Sequence, residues 1–437
     1  MIVNFGAYSP DLPNLGNPCI TARNVIPQGR GYKPLKTPTS ISDALAAACK
    51  GAFSVKRVDG TVDTFAGTST KLYKFTDPAW DEVTRTSGGD YSATTNWRFT
   101  LFGSRVVAAN GIDATQKFDL GTDTDFAALT NAPVADAFIV VRDVLVGLNT
   151  TDDITFSAVN DSEKWTQACG GGTQPVPDGG PIVGGTGGEF GTILQEHAIT
   201  RMNFVGGNLR FTFDRVEGAI GCIAGGSIVE HKGRTFYLSE EGFQVFNGAE
   251  SVNISTDRIT ETFFDELDRA NIDTMSVGLD PKNSIIIWSY PTSSTRKLLL
   301  YNYASNRWAD SDQILTCLHT SQETSTQIGG FDSSNDLVQF TGAALSAILS
   351  TGEIELFPGF NATVLSARGL VDADHDVYVG TKRHFGATEE VQNNSSENGK
   401  VLLRANGKYH RFELRPTEAW TEITGIDVEA KRNGKRT

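Results

Sequence analysis

The sequence predicts an all-β protein of the propeller type, with about six to seven blades, long loops and one short helix. Three observations support this prediction. Glycine is abundant, with 45 residues in 437, few long stretches have the 3.6-residue period of a helix, and short apolar segments alternate with turn residues. A polar turn ending in tryptophan also follows an apolar run three times, and such self-similarity is typical of propellers. The copies are LYKFTDPAW (Leu72–Trp80), ITFSAVNDSEKW (Ile154–Trp165) and LLLYNYASNRW (Leu298–Trp308).

Each repeated unit is interpreted as a strand, a turn held by Asp or Asn side chains, and an indole that packs on its neighbours. Trp80, Trp165 and Trp308 are therefore expected to be structural positions in three different blades, mostly buried. A sharper alternative is the aspartate box of sialidase-like propellers. None of the three copies has the glycine of that motif.

Strand follows strand along the chain, each bordered by Gly, Asp, Asn or Ser. The clearest hairpin is RTFYLSEEGFQVFNG, in which the Glu-Gly step at 241–242 suits a left-handed residue. The main predicted strand segments are 97–109, 137–148, 209–214, 234–246 and 284–290.

One segment, STDRITETFFDELDRA, predicts a helix. Ser255 or Thr256 can cap its first turn, and Ile259, Phe263, Leu267 and Ala270 fall on one face. We expect that face to be covered by protein.

The domain organisation is predicted as a propeller body over 1–345, followed at 346–437 by further strands. These strands either close blades or form a small β subdomain. Residues 169–190 are rich in Gly and Pro and predict a long, exposed, irregular loop within the body. The chain then ends in a basic tail, KRNGKRT.

The composition argues against several classes of function. The net charge of −14 argues against a broad nucleic-acid-binding surface, because that affinity comes from Lys and Arg. No apolar run is long enough for a membrane span. The five cysteines show no CxxC pair and predict buried thiols of a reducing compartment.

The sequence contains only weak signals for catalytic, nucleotide-binding or metal sites. Gly185–Gly191 resembles a phosphate-binding loop but precedes a segment that reads as strand. Asp372, Asp374 and Asp376 have the spacing that opens a calcium loop, yet Arg383 stands where the bidentate glutamate belongs. A solvated polar turn is favoured, with metal binding left open. The six histidines never pair at ligand spacing, so no catalytic group, cofactor or enzyme activity is predicted.

Ordered blocks along most of the chain resemble the tail hub, or nozzle, proteins of short-tailed bacteriophages, also called phage stabilisation proteins. Two departures are Phe156, where a tryptophan is expected, and Gly407-Lys408 in place of Gly-Arg. The blocks are PDLPNLGNP (Pro10–Pro18), ARNVIP (Ala22–Pro27), Arg142–Trp165, Gly187–Gly207, Phe211–Gly248, FFDELD, Leu279–Pro291, LYNYASNRW and Gly399–Leu414.

This resemblance implies a structural virion protein of a phage tail, assembled in the host cytoplasm. Its copies would form a hexameric ring that extends the portal–adaptor channel, retains the packaged genome and conducts DNA during ejection. The implied partners are the adaptor ring and tail fibre, tailspike or needle proteins. DNA would pass without specific binding, which suits an acidic wall.

The basic residues Lys431, Arg432, Lys435 and Arg436 are expected to contact the adaptor or another subunit, away from the channel axis. Cations on the axis would be repeated in every subunit and would hold DNA. The competing classes are a carbohydrate-active or sugar-binding propeller attached to the virion, and a monomeric interaction scaffold.

Overall fold

The computed structural model describes residues 1–207, 210–322 and 328–433. The chain begins with five short strands that belong to two different parts of the molecule. They are β1 (Ile2–Asn4), β2 (Thr21–Arg23), β3 (Val25–Pro27), β4 (Tyr32–Pro34) and β5 (Lys36–Ser40).

Seven antiparallel blades of four strands follow, which confirms the predicted all-β propeller. The first four blades are continuous in sequence. Their strands are β6 (Gly51–Lys56), β7 (Val62–Gly67), β8 (Leu72–Thr76) and β9 (Ala79–Glu82); β10 (Arg98–Phe102), β11 (Arg105–Ala109), β12 (Gln116–Asp119) and β13 (Ala127–Ala128); β14 (Ala137–Val141), β15 (Val144–Leu148), β16 (Asp153–Phe156) and β17 (Gly172–Pro175); β18 (Ile182–Thr186), β19 (Gly191–Gln195), β20 (Ile199–Phe204) and β21 (Phe211–Glu217).

Blades five and six are also continuous, whereas blade seven takes its outer strand from the N-terminal segment. Strand β5 pairs with β32, with Gln339 opposite Thr39, so the start of the chain closes the circle. The strands are β22 (Val229–His231), β23 (Arg234–Ser239), β24 (Gly242–Phe246) and β25 (Ser251–Asn253); β26 (Ser276–Asp280), β27 (Ile285–Pro291), β28 (Arg296–Asn302) and β29 (Arg307–Ser311); β30 (Thr316–Thr320), β31 (Ile328–Phe331) and β32 (Leu337–Ala344).

The remaining strands form two sheets beside blade six. One sheet has the order β3-β4-β39-β34-β37, with β1 also on β39, and the other continues from β29 of blade six as β2-β33-β38-β35-β36. We call this part the sandwich. Its C-terminal strands are β33 (Ile348–Ser350), β34 (Ala362–Val371), β35 (His375–Lys382), β36 (Glu390–Ser395), β37 (Val401–Gly407), β38 (Tyr409–Pro416) and β39 (Ile423–Arg432).

The observed division of the chain differs from the predicted body over 1–345 at the N-terminal end. Strands β1, β2 and β4 pair with C-terminal strands or with β29, as in Val3 opposite Ile426, and β3 pairs with β4. These are contacts between distant parts of the sequence, which local patterning does not encode. The C-terminal strands form the sandwich and none of them closes a blade.

The helix α1 (Thr260–Glu266) is shorter than the predicted segment, and a 3-10 turn (Arg269–Thr274) follows it. Phe263 is buried and packs on Phe243 and Tyr290, with ring centroids 4.9 Å apart in each case. The predicted cap is wrong. Asp11, from the N-terminal segment, accepts hydrogen bonds from the backbone N–H groups of Glu261 (2.9 Å) and Thr262 (3.0 Å).

The predicted long loop at 169–190 is also wrong, because this segment contains β17 and β18. Strand β18 is the inner strand of blade four, where neighbouring backbones approach closely. A Cβ at Gly187 would overlap the carbonyl oxygen of Val140, and one at Gly185 would lie 2.8 Å from that of Thr192. Glycine here therefore serves packing between strands. Two further 3-10 turns are Gln167–Cys169 and Gly225–Ser227.

The largest apolar cluster runs from blades five and six into the sandwich. It includes Phe243, Trp288 and Trp308 on the propeller side, and Val364 and Leu414 on the sandwich side. Burial of this shared surface makes the two parts one packed body. Among the cysteines, Cys19, Cys49, Cys222 and Cys317 are buried, whereas Cys169 is exposed, contrary to the prediction.

Candidate functional site

The three turn tryptophans lie in three blades, each after the third strand of its blade. Trp80 and Trp308 occupy equivalent places on the fourth strand, opposite Phe75 and Tyr301 respectively. Trp165 instead lies in the connection before β17, where its Nε1 donates to the carbonyl oxygen of Ser162 (2.7 Å).

The burial of these tryptophans also differs. Trp165 and Trp308 are buried, as expected, whereas Trp80 is half-buried. The indole of Trp308 donates to the carbonyl oxygen of Ile254 (3.0 Å), in the segment that leads from blade five into α1. That of Trp80 donates to the carbonyl oxygen of Asp43 (3.1 Å), next to the closing strand β5. The tryptophans thus join blades to neighbouring segments.

Asp372 and Asp374 are each held by a different neighbouring group. Asp372 accepts from the backbone N–H of Thr421 (2.8 Å), and Asp374 accepts from the hydroxyl of Ser396 (3.1 Å). Asp376 lies within β35. Across the described residues, no three His, Cys, Asp or Glu side chains are grouped as metal ligands. The Gly185–Gly191 segment joins two strands, β18 and β19, so it lacks the helix that a phosphate loop requires.

The basic C-terminal residues are only partly described. Lys431 and Arg432 end β39, opposite Thr363 and Ala362 of β34, and both are exposed. The guanidinium of Arg432 lies over the ring of Phe360, 4.7 Å from its centroid. Lys435 and Arg436 lie outside the described residues. These two described cations therefore stand at the end of a sandwich strand.

The joint between the propeller and the sandwich is built from two N-terminal segments, Pro10–Pro18 and Ala22–Pro27. Arg23 Nε and Asp310 Oδ2 form an ion pair of 3.0 Å, beside the parallel contact of β2 with β29. Burial raises the pKa of Asp310. Asn24 accepts from the hydroxyl of Ser311 (2.7 Å) and donates to the carbonyl oxygen of Ser346 (3.0 Å). One asparagine thus links blade six to the strand that starts the sandwich.

A buried arginine reinforces the joint. Arg307, in β29, donates to the carbonyl oxygens of Gln28 (2.6 Å), Phe5 (3.3 Å) and Gly6, and its guanidinium lies 4.9 Å from the ring centroid of Tyr32. The Tyr32 hydroxyl also donates to Gly6 (2.7 Å). Charge-assisted bonds of this kind fix geometry well, so the N-terminal segment is tied firmly to blade six.

The other notable feature is a cavity of about 660 Å³ on the propeller axis, lined by residues from all seven blades. Its wall includes Arg98, Glu230 and His319. His319 is buried, and burial lowers its pKa to about 4, so it is neutral at pH 7. Arg98 is the cationic side chain of the lining, and sequence reasoning did not single it out because the cavity is assembled from distant strands.

No protein-family model and no curated protein matches the sequence. Among solved structures, the chain is similar to the extracellular domain of a one-component system protein from B. thetaiotaomicron, with 9% identity over 78% of this chain and a TM-score of 0.47. This chain covers 44% of the length of that protein.

For two further similar structures, the alignment with this chain covers almost the whole of the other chain. A chain of the mitotic checkpoint complex has 11% identity over 70% of this chain and 92% of its own, with a TM-score of 0.47. The WD40 domain of Neurospora crassa Pan2 has 8% identity over 72% and 96%, with a TM-score of 0.45.

Proposed function

We propose that the protein is a structural subunit of a bacteriophage tail, whose copies form a hub or nozzle ring below the adaptor and conduct DNA during ejection. The proposal rests on the position, in the fold, of two sequence blocks that resemble those of tail hub proteins. Pro10–Pro18 and Ala22–Pro27 form the joint described above, including the Asp11 cap and the Arg23–Asp310 pair. A subunit that must transmit load between neighbours benefits from such a fixed joint.

Charge supports the same proposal. The chain carries 38 Lys and Arg against 52 Asp and Glu, so a channel walled by these subunits would repel a passing duplex more than bind it. Lys431 and Arg432 sit at the end of a sandwich strand, where they could meet an acidic surface on the adaptor or on the next subunit. No membrane-spanning helix is present in the described part of the chain.

A ring needs heterologous contacts that close. Because β17 and β18 occupy much of the segment 169–190, a long loop there cannot supply them. The large apolar side chains that the sandwich exposes include Phe385, Val391 and Leu402, at 70%, 53% and 65%. We propose that this side of the sandwich takes part in contacts between subunits.

The test is assembly of the full-length protein with its adaptor, measured by size-exclusion chromatography with light scattering. The variant Lys431→Glu/Arg432→Glu should weaken ring or adaptor assembly while the isolated subunit keeps its melting temperature. The matched control is Lys232→Glu/Arg234→Glu, which makes the same charge change at two exposed positions on the β22–β23 hairpin. Equal loss of assembly in both variants would contradict the assigned role of the C-terminal cations.

A further inference from the structure

The central cavity is bridged at the end where the inner strands begin. Asn96 lies just before the inner strand of blade two. Its Nδ2 donates to the carbonyl oxygens of Asp273 (3.1 Å) and Met275 (3.4 Å), which lie just before the inner strand of blade six. Blades two and six stand on opposite sides of a seven-blade circle, so these bonds cross the axis. Leu101 and Glu230, further along the inner strands, are exposed. The cavity is therefore a pocket with one bridged end.

Arg98 extends across the cavity at the bridged end. Its Nη1 lies 3.4 Å from the carbonyl oxygen of Val183, in the inner strand of blade four. A Cβ at Gly184 would lie 3.3 Å from the same nitrogen, and a Cβ at Gly225 would overlap the guanidinium. Glycines on blades four and five thus make room for this side chain.

Two other arginines show how this chain satisfies a guanidinium in the interior. Arg296 donates to the carbonyl oxygens of Thr274 (2.8 Å) and Ser289 (3.2 Å) and to both of their hydroxyls. Arg307 donates to three carbonyl oxygens and packs on Tyr32. Among the described residues, Arg98 has a single long bond to a carbonyl oxygen, and the carboxylates that act on it, Asp136 and Asp273, do so without forming an ion pair.

The electrostatic consequence is a cation in a confined space, for which Asp136 and Asp273 compensate the loss of water only in part. Burial lowers the pKa of Arg98, but a guanidinium remains protonated at neutral pH. Removing a charge from water without a partner is costly, and an anion that forms paired hydrogen bonds with the guanidinium fork would offset this cost. Carboxylate and phosphate groups have the matching geometry.

We propose that the central cavity is a binding site for a small oxyanion, a molecule that carries a carboxylate or phosphate group, with Arg98 as its cationic partner. The cavity of about 660 Å³ falls within the usual range for small-molecule sites. Phe53 and Phe99, which stack with ring centroids 6.0 Å apart, supply apolar wall for the rest of the molecule. The proposal is independent of ring formation.

The experiment is isothermal titration calorimetry on the full-length protein with inorganic phosphate and with citrate as probes, and with galactose as an uncharged comparison. Wild-type protein should bind at least one of the two anions and not galactose. Arg98→Gln should weaken that binding at least tenfold. The matched control, Arg234→Gln, removes one exposed cation outside the cavity and should bind as the wild type does.

A second measurement on wild-type protein keeps the test valid if Arg98→Gln does not fold. Phenylglyoxal modifies arginines, and peptide mapping by mass spectrometry gives the rate at each position. Phosphate or citrate should slow modification of Arg98 and leave the rate at Arg234 unchanged. The proposal is overturned if neither anion binds, if a folded Arg98→Gln protein binds them equally well, or if the anions do not protect Arg98.

Discussion

Acid should destabilise the sandwich through one histidine, His410. This residue in β38 is fully buried, and interactions with the backbone of Ala362 and Ala405 only partly offset the loss of water around its ring. The ring stacks on Phe412, with centroids 6.3 Å apart. Burial disfavours the charged imidazolium and lowers its pKa from 6.5 to about 4.

The sign and size of the effect follow from proton linkage. Between pH 6.5 and 4 the unfolded chain binds the proton and the folded chain does not, so stability is fully present above pH 6.5 and falls with pH. For pKa values of 6.5 unfolded and about 4 folded, the loss from pH 7 to pH 4.5 is about 2 kcal/mol. His319, whose pKa is likewise lowered to about 4, adds a separate loss in blade seven.

The assay is urea unfolding at pH 7 and at pH 4.5, followed by tryptophan fluorescence; Trp420 reports on the sandwich, where it is buried. His410→Leu should reduce the loss of unfolding free energy by about 2 kcal/mol relative to wild type. His384→Leu, at an exposed position of the same part of the chain, is the control and should leave the loss unchanged. If His410→Leu shows the wild-type pH dependence, the assigned neutral state of His410 is wrong.

Three further predictions address the helix and the assembly surface. Phe263→Ala should destabilise the protein by about 3–5 kcal/mol, because the ring is buried against Phe243 and Tyr290; an unchanged urea midpoint would contradict that packing. Asp11→Ala should lower the free energy of unfolding by about 1 kcal/mol, because it removes the cap of α1, and it should speed amide exchange at Glu261 and Thr262. Ser255→Ala, at the position that the sequence predicted as the cap, should not speed amide exchange at those two residues. Lys431→Glu/Arg432→Glu should impair assembly and not folding, as measured by light scattering and melting temperature.

Local sequence patterns predicted much of the propeller. The segment 234–246 forms the hairpin of β23 and β24, and the expected left-handed residue is Gly242, with φ of 108°. A Cβ there would collide with the Ser255 hydroxyl. The apolar segment 284–290 likewise lies in β27. Alternating apolar residues and turn residues act over a few positions, and the sequence displays them directly.

The parts that sequence reasoning missed depend on distant contacts. Asp11 caps a helix about 250 positions away, while β1 pairs with β39 near the other end of the chain. The glycines of β18 resembled loop residues, yet they allow inner strands to approach one another. Arg98 showed no motif, since its neighbours Val183 and Gly225 come from other blades. Such arrangements need the closed circle of blades before they can be recognised.

We propose above that copies of this chain form a ring that continues the adaptor channel. Electron microscopy of the full-length protein mixed with its adaptor tests it most directly, supported by the mass of the complex. The account predicts a ring containing six copies of the 47.1 kDa chain, with Lys431 and Arg432 away from the axis and against the adaptor or a neighbouring subunit. A protein that stays monomeric beside its adaptor, or a ring whose lumen is lined by those two cations, would contradict it.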